Sequence, residues 1–286
     1  MPRLLVSSPP RTARRRRGCL AALVAAGLVG SASGSAAGAG EGQLSYDWKV
    51  DGAVTVAASA FWGGSQLLES TLAASACRWC NPDSLDVSVR GALRWNDTSA
   101  ANLASNVGAY AFVPVASLGL LALEAHEEDR FAQMAGNGLV IAESVALAGS
   151  VSQIVKLTVG RERPFVHALP PDQKALTANP ADNNLSFYSS HTSFAFALAV
   201  SSGTVASIRR YRWAAAVWAA GLAGAAVVGY LRIAADQHYF TDVLTGAAAG
   251  AAIGFTVPYG FHRRVGGLAL VPVAGGGAML TLTARL

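Results

Sequence analysis

Lys156, Arg163 and Arg232 are three cations with few acids in the same segments, a set suited to gripping a dianionic tetrahedral group with forked donors. Tyr188-Ser189-Ser190-His191 directly precedes an apolar run. There Ser189 Oγ and backbone N–H groups belong to a helix N-terminus, where anions bind. His238 and Asp242 lie four apart, so on a helix they share one face. Asp242 is then expected to bond one ring nitrogen and leave the other as a lone-pair nucleophile for phosphorus. His191, when protonated, supplies the proton that a leaving oxygen needs.

Elements must bring these groups together. Charge-poor apolar segments at 53–75, 105–123, 137–158, 192–208, 213–231 and 241–260 predict six long helices. In an up-down bundle the end of the third, the start of the fourth, the end of the fifth and the start of the sixth share one face, so every candidate converges. The expected fold class is therefore all-α, a six-helix bundle embedded in a membrane. The runs 213–231 and 243–261 carry no charge and approach the roughly 20 residues that span a hydrocarbon core. Glu69 and Glu143 interrupt two other segments and the mean hydropathy is only +0.36, so a dense soluble bundle is the competing architecture. Gly221, Gly224, Gly246, Gly250 and Gly254 permit close helix packing in either case. Residues 159–190, rich in Pro, Asn, Asp and Ser, predict a long functional loop. Residues 265–286, with Gly275-Gly276-Gly277 between two apolar runs, predict a small C-terminal β-hairpin.

Of 286 residues, 52% are hydrophobic and 14% charged, which excludes a disordered chain. The net charge of +5 belongs to the first 17 residues, which hold six arginines and no acid. Beyond them no basic stripe remains, so nucleic-acid binding loses its electrostatic footprint. Arg14 to Arg17, the apolar run from Cys19 to Gly30 and the small residues 31–40 read as a bacterial-type secretory signal, or as an uncleaved anchor. The expected organisation is a leader over 1–40, a helical domain over 41–264 and a hairpin tail over 265–286. In an exported chain Cys77 and Cys80 are disulfide candidates. They have no thioredoxin-like context for redox chemistry and no neighbouring His for zinc.

The polar residues outside the constellation receive plainer readings. Arg161 and Glu162 read as a solvated loop pair, and His126, His167 and His262 as packing residues. Glu124, Glu127, Glu128 and Asp129 read as a hydrated turn at the opposite end of the bundle rather than a metal site. Asp236, near His238, reads first as an ordinary loop residue, with tuning of the pocket as the lesser alternative. Trp48, Trp79 and Trp95 suit interfacial anchoring or ordinary packing.

Lys156-x6-Arg163-Pro164, then Tyr188-Ser189-Ser190-His191, then Arg232-x5-His238-x3-Asp242 resembles the three-part signature of the type 2 phosphatidic acid phosphatase / vanadium haloperoxidase superfamily. The resemblance implies metal-free hydrolysis of a phosphomonoester or diphosphate, with no cofactor, through a phosphohistidine on His238. Asp242 would orient that ring and His191 would act as general acid. Lys156, Arg163, Ser189, the Ser190 amide and Arg232 would hold the phosphoryl oxygens. Three positions depart from the pattern: Tyr188 where Pro is usual, Ser190 where Gly is usual, and Leu231 where Ser often stands. The substrate class expected is a lipid phosphate, phosphatidate-like, polyprenyl diphosphate or lipid A phosphate, with the membrane as partner. A soluble secreted acid phosphatase, a vanadate haloperoxidase and a non-catalytic membrane bundle are the alternatives.

Arg209, Arg210 and Arg212 follow the fourth helix, and Arg263-Arg264 follow the sixth on the same side. By the positive-inside rule that side is cytoplasmic, which places the constellation on the periplasmic face of a bacterial inner membrane. The cysteine pair falls on the same face, where oxidation is possible. A cleaved leader followed by six spans would put that face inside, so one of these expectations must yield.

Overall fold

The computed structural model describes residues 44–263, 268–273 and 277–282. The expected leader over 1–40 lies outside them, as do parts of the expected tail. Ten α-helical segments form among the described residues: α1 (Val50–Leu67), α2 (Glu69–Leu72), α3 (Ser84–Leu93), α4 (Thr98–Val107), α5 (Val113–Glu127), α6 (Met134–Val159), α7 (Pro164–His167), α8 (Ser190–Ile208), α9 (Ala214–Ala234) and α10 (Phe240–Thr256). A π-helical turn over Gly108–Phe112 joins α4 to α5, and another over Val257–Phe261 extends α10. Strands β1 (Leu268–Val273) and β2 (Gly277–Leu282) pair antiparallel, Leu268 opposite Leu282.

The count of six helices was too small. Helix α3 carries Asp86 and Arg90 and leaves no apolar run to read, and α4 runs on through the π-turn into α5, so the second expected segment starts earlier than its apolar run. Each is started by an aspartate: the Asp83 side chain accepts the Asp86 N–H, and Asp97 accepts that of Ala100. The first expected segment also breaks at Leu68, giving α1 and the single turn of α2.

Among the described residues, four helices are long and apolar enough to cross a membrane: Thr98–Glu127, Phe131–Val159, Ala214–Ala234 and Phe240–Phe261. Helix α1 carries Asp51, Gln66 and several Gly and Ser residues, so it falls short by composition. Helix α8 occupies the centre. Thirteen of its 19 residues are buried, among them Ser193, Ser201, Ser202 and Thr204. Two of these hydroxyls bond back to the helix's own carbonyls, Thr204 Oγ1 to Val200 at 2.7 Å and Ser201 Oγ to Leu198 at 3.2 Å.

Helix α10 packs against α8 through Gly246, Gly250 and Gly254. A Cβ at Gly246 would lie 2.6 Å from the Ser189 carbonyl and one at Gly254 2.5 Å from that of Ala197, while one at Gly250 would strike the Ser193 carbonyl. Three glycines at four-residue spacing thus let two backbones touch. The contact also fixes the N-terminus of α8 beside that of α10, the two places where the candidate residues begin.

Candidate active site

Lys156 stands in the last turn of α6, which ends at Gly160 in the left-handed conformation (φ 62°) that glycine adopts without strain. The chain then turns through Arg161 and Glu162 to Arg163, with Pro164 opening α7. Ser189 caps α8, its Oγ accepting from Thr192 Oγ1 at 2.9 Å, and His191 lies in the first turn. Arg232 closes α9. Asp242 sits at the third position of α10, where its carboxylate accepts the Tyr239 N–H at 2.9 Å. Ser189 N–H donates to the Asp242 carbonyl at 3.1 Å, tying the two helix starts together. Lys156, Arg163, Ser189, Arg232, His238 and Asp242 are all buried.

His238 does not bond to Asp242 as expected. Helix α10 begins only at Phe240, so His238 lies ahead of it and the four-residue spacing no longer puts both side chains on one helix face. His238 Nδ1 instead donates to the Ser186 carbonyl at 2.8 Å, and Asp242 Oδ2 is 3.8 Å away. The outcome for the ring is nonetheless the one required. A proton held at Nδ1 by a carbonyl leaves the lone pair on Nε2, which lies 3.2 Å from Arg163 Nη1.

Asp242 is spent on a different pair of groups. Its Oδ2 accepts Ser186 Oγ at 2.6 Å and its Oδ1 accepts Arg161 Nη1 at 2.5 Å. Arg161, read as a solvated loop residue, is 1% exposed and also donates to Asp86 Oδ2 at 2.5 Å. The rings of Trp79 and Tyr239 lie 3.9 and 4.4 Å from its guanidinium carbon. Thr241 closes the cluster, its Oγ1 donating to Asp86 Oδ2 and accepting from Arg161. Glu162 is likewise buried, held by Lys174 at 2.7 Å and His167 at 3.0 Å.

Helix α4 supplies residues that the spacing patterns did not include. Asn102 Oδ1 and Ser105 Oγ accept from Arg232 Nη1 at 2.7 and 3.0 Å, and Asn106 Oδ1 bonds His191 Nε2 at 2.9 Å. Arg232 Nε is buried and has no hydrogen-bond partner among the described residues. Ser190 Oγ turns to Ser152 of α6 at 2.7 Å, which directs that side chain into the α6–α8 contact. Asp236 is engaged by arginines of the α3 end. It lies at φ 59°, paired with Arg90 at 2.6 Å and Arg94 at 3.2 Å, and so fastens α3 to the loop before His238.

Burial holds the imidazoles of His238 and His191 well below the ordinary histidine range. For His238 the next causes are the charges of Arg163, Arg232 and Lys156; for His191 they are Arg232, Lys156 and Arg163. Both rings thus share one electropositive pocket and are neutral near pH 7.

The loop carrying Cys77 and Cys80, disulfide-bonded to each other, runs along the same segment. Arg78 N–H donates to the Gly160 carbonyl at 2.9 Å and Glu162 N–H to that of Trp79 at 3.1 Å. The acidic turn lies elsewhere and is only partly hydrated. Glu124 is 1% exposed and accepts the Trp213 N–H, and Glu128 pairs with Arg130 at 3.0 Å.

Residues 137–265 match the family model described as the PAP2 superfamily, and this part of the chain is a PAP2-superfamily domain. Among curated proteins, it is 32% identical over 129 residues to phospholipid phosphatase 2 of Homo sapiens, covering 38% of this chain and 45% of the relative. The Bos taurus phospholipid phosphatase 2 is 30% identical over 135 residues, covering 40% and 47%. The chain thus spans less than half the length of these relatives. A crystal structure described as the first transmembrane PAP2 type phosphatidylglycerolphosphate phosphatase from Bacillus subtilis is similar at 19% identity and a TM-score of 0.44, over 71% of this chain and 96% of that one.

Proposed function

We propose that this protein is a phosphatase that hydrolyses a lipid phosphate at a membrane surface through a covalent phosphohistidine on His238. The observation that carries the reading is the placement of His238 Nε2, its lone pair 3.2 Å from Arg163 Nη1 while Nδ1–H is held by the Ser186 carbonyl. A neutral, oriented imidazole beside a guanidinium is a nucleophile aimed at the group that the cation binds.

Lys156, Arg163 and Arg232, with N–H groups at the start of α8, take up the phosphoryl oxygens. Nε2 attacks phosphorus in line with the ester oxygen, the P–O bond breaks, and its electron pair leaves on that oxygen. His191 gives the leaving oxygen a proton. The bound dianion offsets the neighbouring cations and so favours the imidazolium that this step needs. A water then attacks the phosphohistidine, His191 takes the water's proton, and orthophosphate departs with Nε2 restored. Arg161 and Asp86 act one layer out, fixing Asp242 and through Ser186 the carbonyl that selects the tautomer.

The four long apolar helices and the curated relatives support a lipid substrate and a membrane setting. Arg209, Arg210 and Arg212 lie at the end of the bundle away from the site, and the Cys77–Cys80 disulfide lies at the site end, which supports a periplasmic active face in a bacterial inner membrane. Phosphate release from lipid phosphates by the purified full chain tests the reading. The expected result is release that persists with EDTA and is lost in His238→Ala. Activity that requires added metal, or that survives in His238→Ala, overturns it.

A further inference from the structure

The pocket that holds three cations also holds an acid, on a loop that the catalytic scheme leaves without a task. Arg163 Nη2 donates to Asp182 Oδ1 at 2.6 Å and Arg163 Nε to the Asp182 carbonyl at 3.0 Å. Arg163 Nη1 is taken up by the Gln237 carbonyl at 2.9 Å and by His238 Nε2. The edge of the guanidinium that would grip a phosphoryl oxygen is therefore engaged by a carboxylate. The carboxylate thus sits beside the cation that borders His238 Nε2. Its position is built. The turn Pro180–Asp182 is anchored by Asn183, whose Oδ1 accepts from Thr177 at 2.8 Å and whose Nδ2 donates to the Lys174 carbonyl at 2.7 Å. The Asp182 side chain remains 29% exposed, at the mouth rather than the floor.

We propose that Asp182 is the selectivity residue of this site, admitting a phosphomonoester dianion and disfavouring a diphosphate. The proposal rests on the phosphatase reading above. With both imidazoles neutral, three cations and Asp182 leave two positive charges around the reacting phosphoryl group, which a monoester dianion balances. A second phosphoryl group at the mouth adds negative charge beside the carboxylate, and like charges close together in a partly desolvated site repel strongly. A purely structural task for Asp182, orienting Arg163, would instead weaken both substrates together when removed.

A prenyl monophosphate and the diphosphate of the same prenyl chain discriminate these roles in detergent-solubilised full chain. The expected wild-type result is a higher kcat/KM for the monophosphate, by about tenfold or more, narrowing as salt rises. Asp182→Asn is expected to shift that ratio toward the diphosphate by about tenfold and to tighten orthovanadate binding, with Asp182→Glu restoring the wild-type ratio. Equal or reversed preference in the wild-type protein overturns the proposal, whether or not the variants fold. So does a parallel loss on both substrates in Asp182→Asn. If neither substrate releases phosphate, the phosphatase reading fails instead; orthovanadate titration of both proteins then still decides whether the carboxylate competes for the anion.

Discussion

The two imidazoles owe their neutrality to surroundings rather than to partners. His238 has a carbonyl on one nitrogen, cations near the other and almost no solvent, so acquiring a proton means charging a buried ring next to positive groups. Its folded pKa lies below the ordinary value of about 6.5, so between the two values the unfolded chain binds more protons. The stability His238 contributes is thus present above about pH 6.5 and is lost as pH falls toward the folded value. His262 works in the opposite sense. Burial depresses its pKa, but its bonds to Glu143 and the Ser45 carbonyl, with the charges of Glu143 and Asp51, outweigh that and raise it. Its contribution is present at low pH and fades as pH rises through the raised value. The comparison of wild type with His238→Asn isolates the first effect. The wild-type melting temperature is expected to drop more steeply below about pH 6.5 than that of His238→Asn. Equal slopes would show that the ring is not held neutral by the pocket.

At the scale of elements, two joints hold the site together. The first is the contact of α8 with α10, where Gly250 meets the Ser193 carbonyl. The second is Arg161, bridging Asp86 of α3 and Asp242 of α10 across 2.5 Å contacts. Replacing Arg161 with Met leaves two buried carboxylates facing each other, and breaking a buried pair from one side costs about 3–5 kcal/mol. Arg161→Met is therefore expected to unfold at clearly lower denaturant, and Asp86→Asn in the same background to recover part of the loss. The reason this joint escaped a linear reading is physical. Arg161 stands two residues from Arg163 in a polar loop, and the partners that bury it are 75 and 81 residues distant. The constellation itself was legible because helix termini impose regular spacing. The substitution of the Ser186 carbonyl for Asp242 at His238 was not, because it depends on where α10 starts.

For the whole molecule, the alternation of apolar runs was readable, but enclosure was not. Helix α8 and the four long helices are all apolar by composition, and only packing shows that α8 is wrapped by protein while the others present apolar faces outward. The chain is expected to stay with the membrane pellet after alkaline carbonate washing; a soluble pool would mark it as a dense soluble bundle. In the proposed orientation, with the basic loop cytoplasmic, Arg210→Cys is expected to escape an impermeant maleimide in intact cells and to react once the cells are opened. Labelling in intact cells would reverse the proposed orientation.

The amino-acid sequence alone determined the chemistry on offer, because residue types and intervals at helix ends are local properties: three cations, two imidazoles and a helix start converging on one end of an α-helical bundle. Tertiary structure alone decided which partner each group has. It gave Asp242 to Arg161, His238 to a backbone carbonyl, Arg232 to α4 and Arg163 to Asp182. Those choices depend on which long-range neighbour reaches a buried polar atom first, and no interval along the chain encodes that distance.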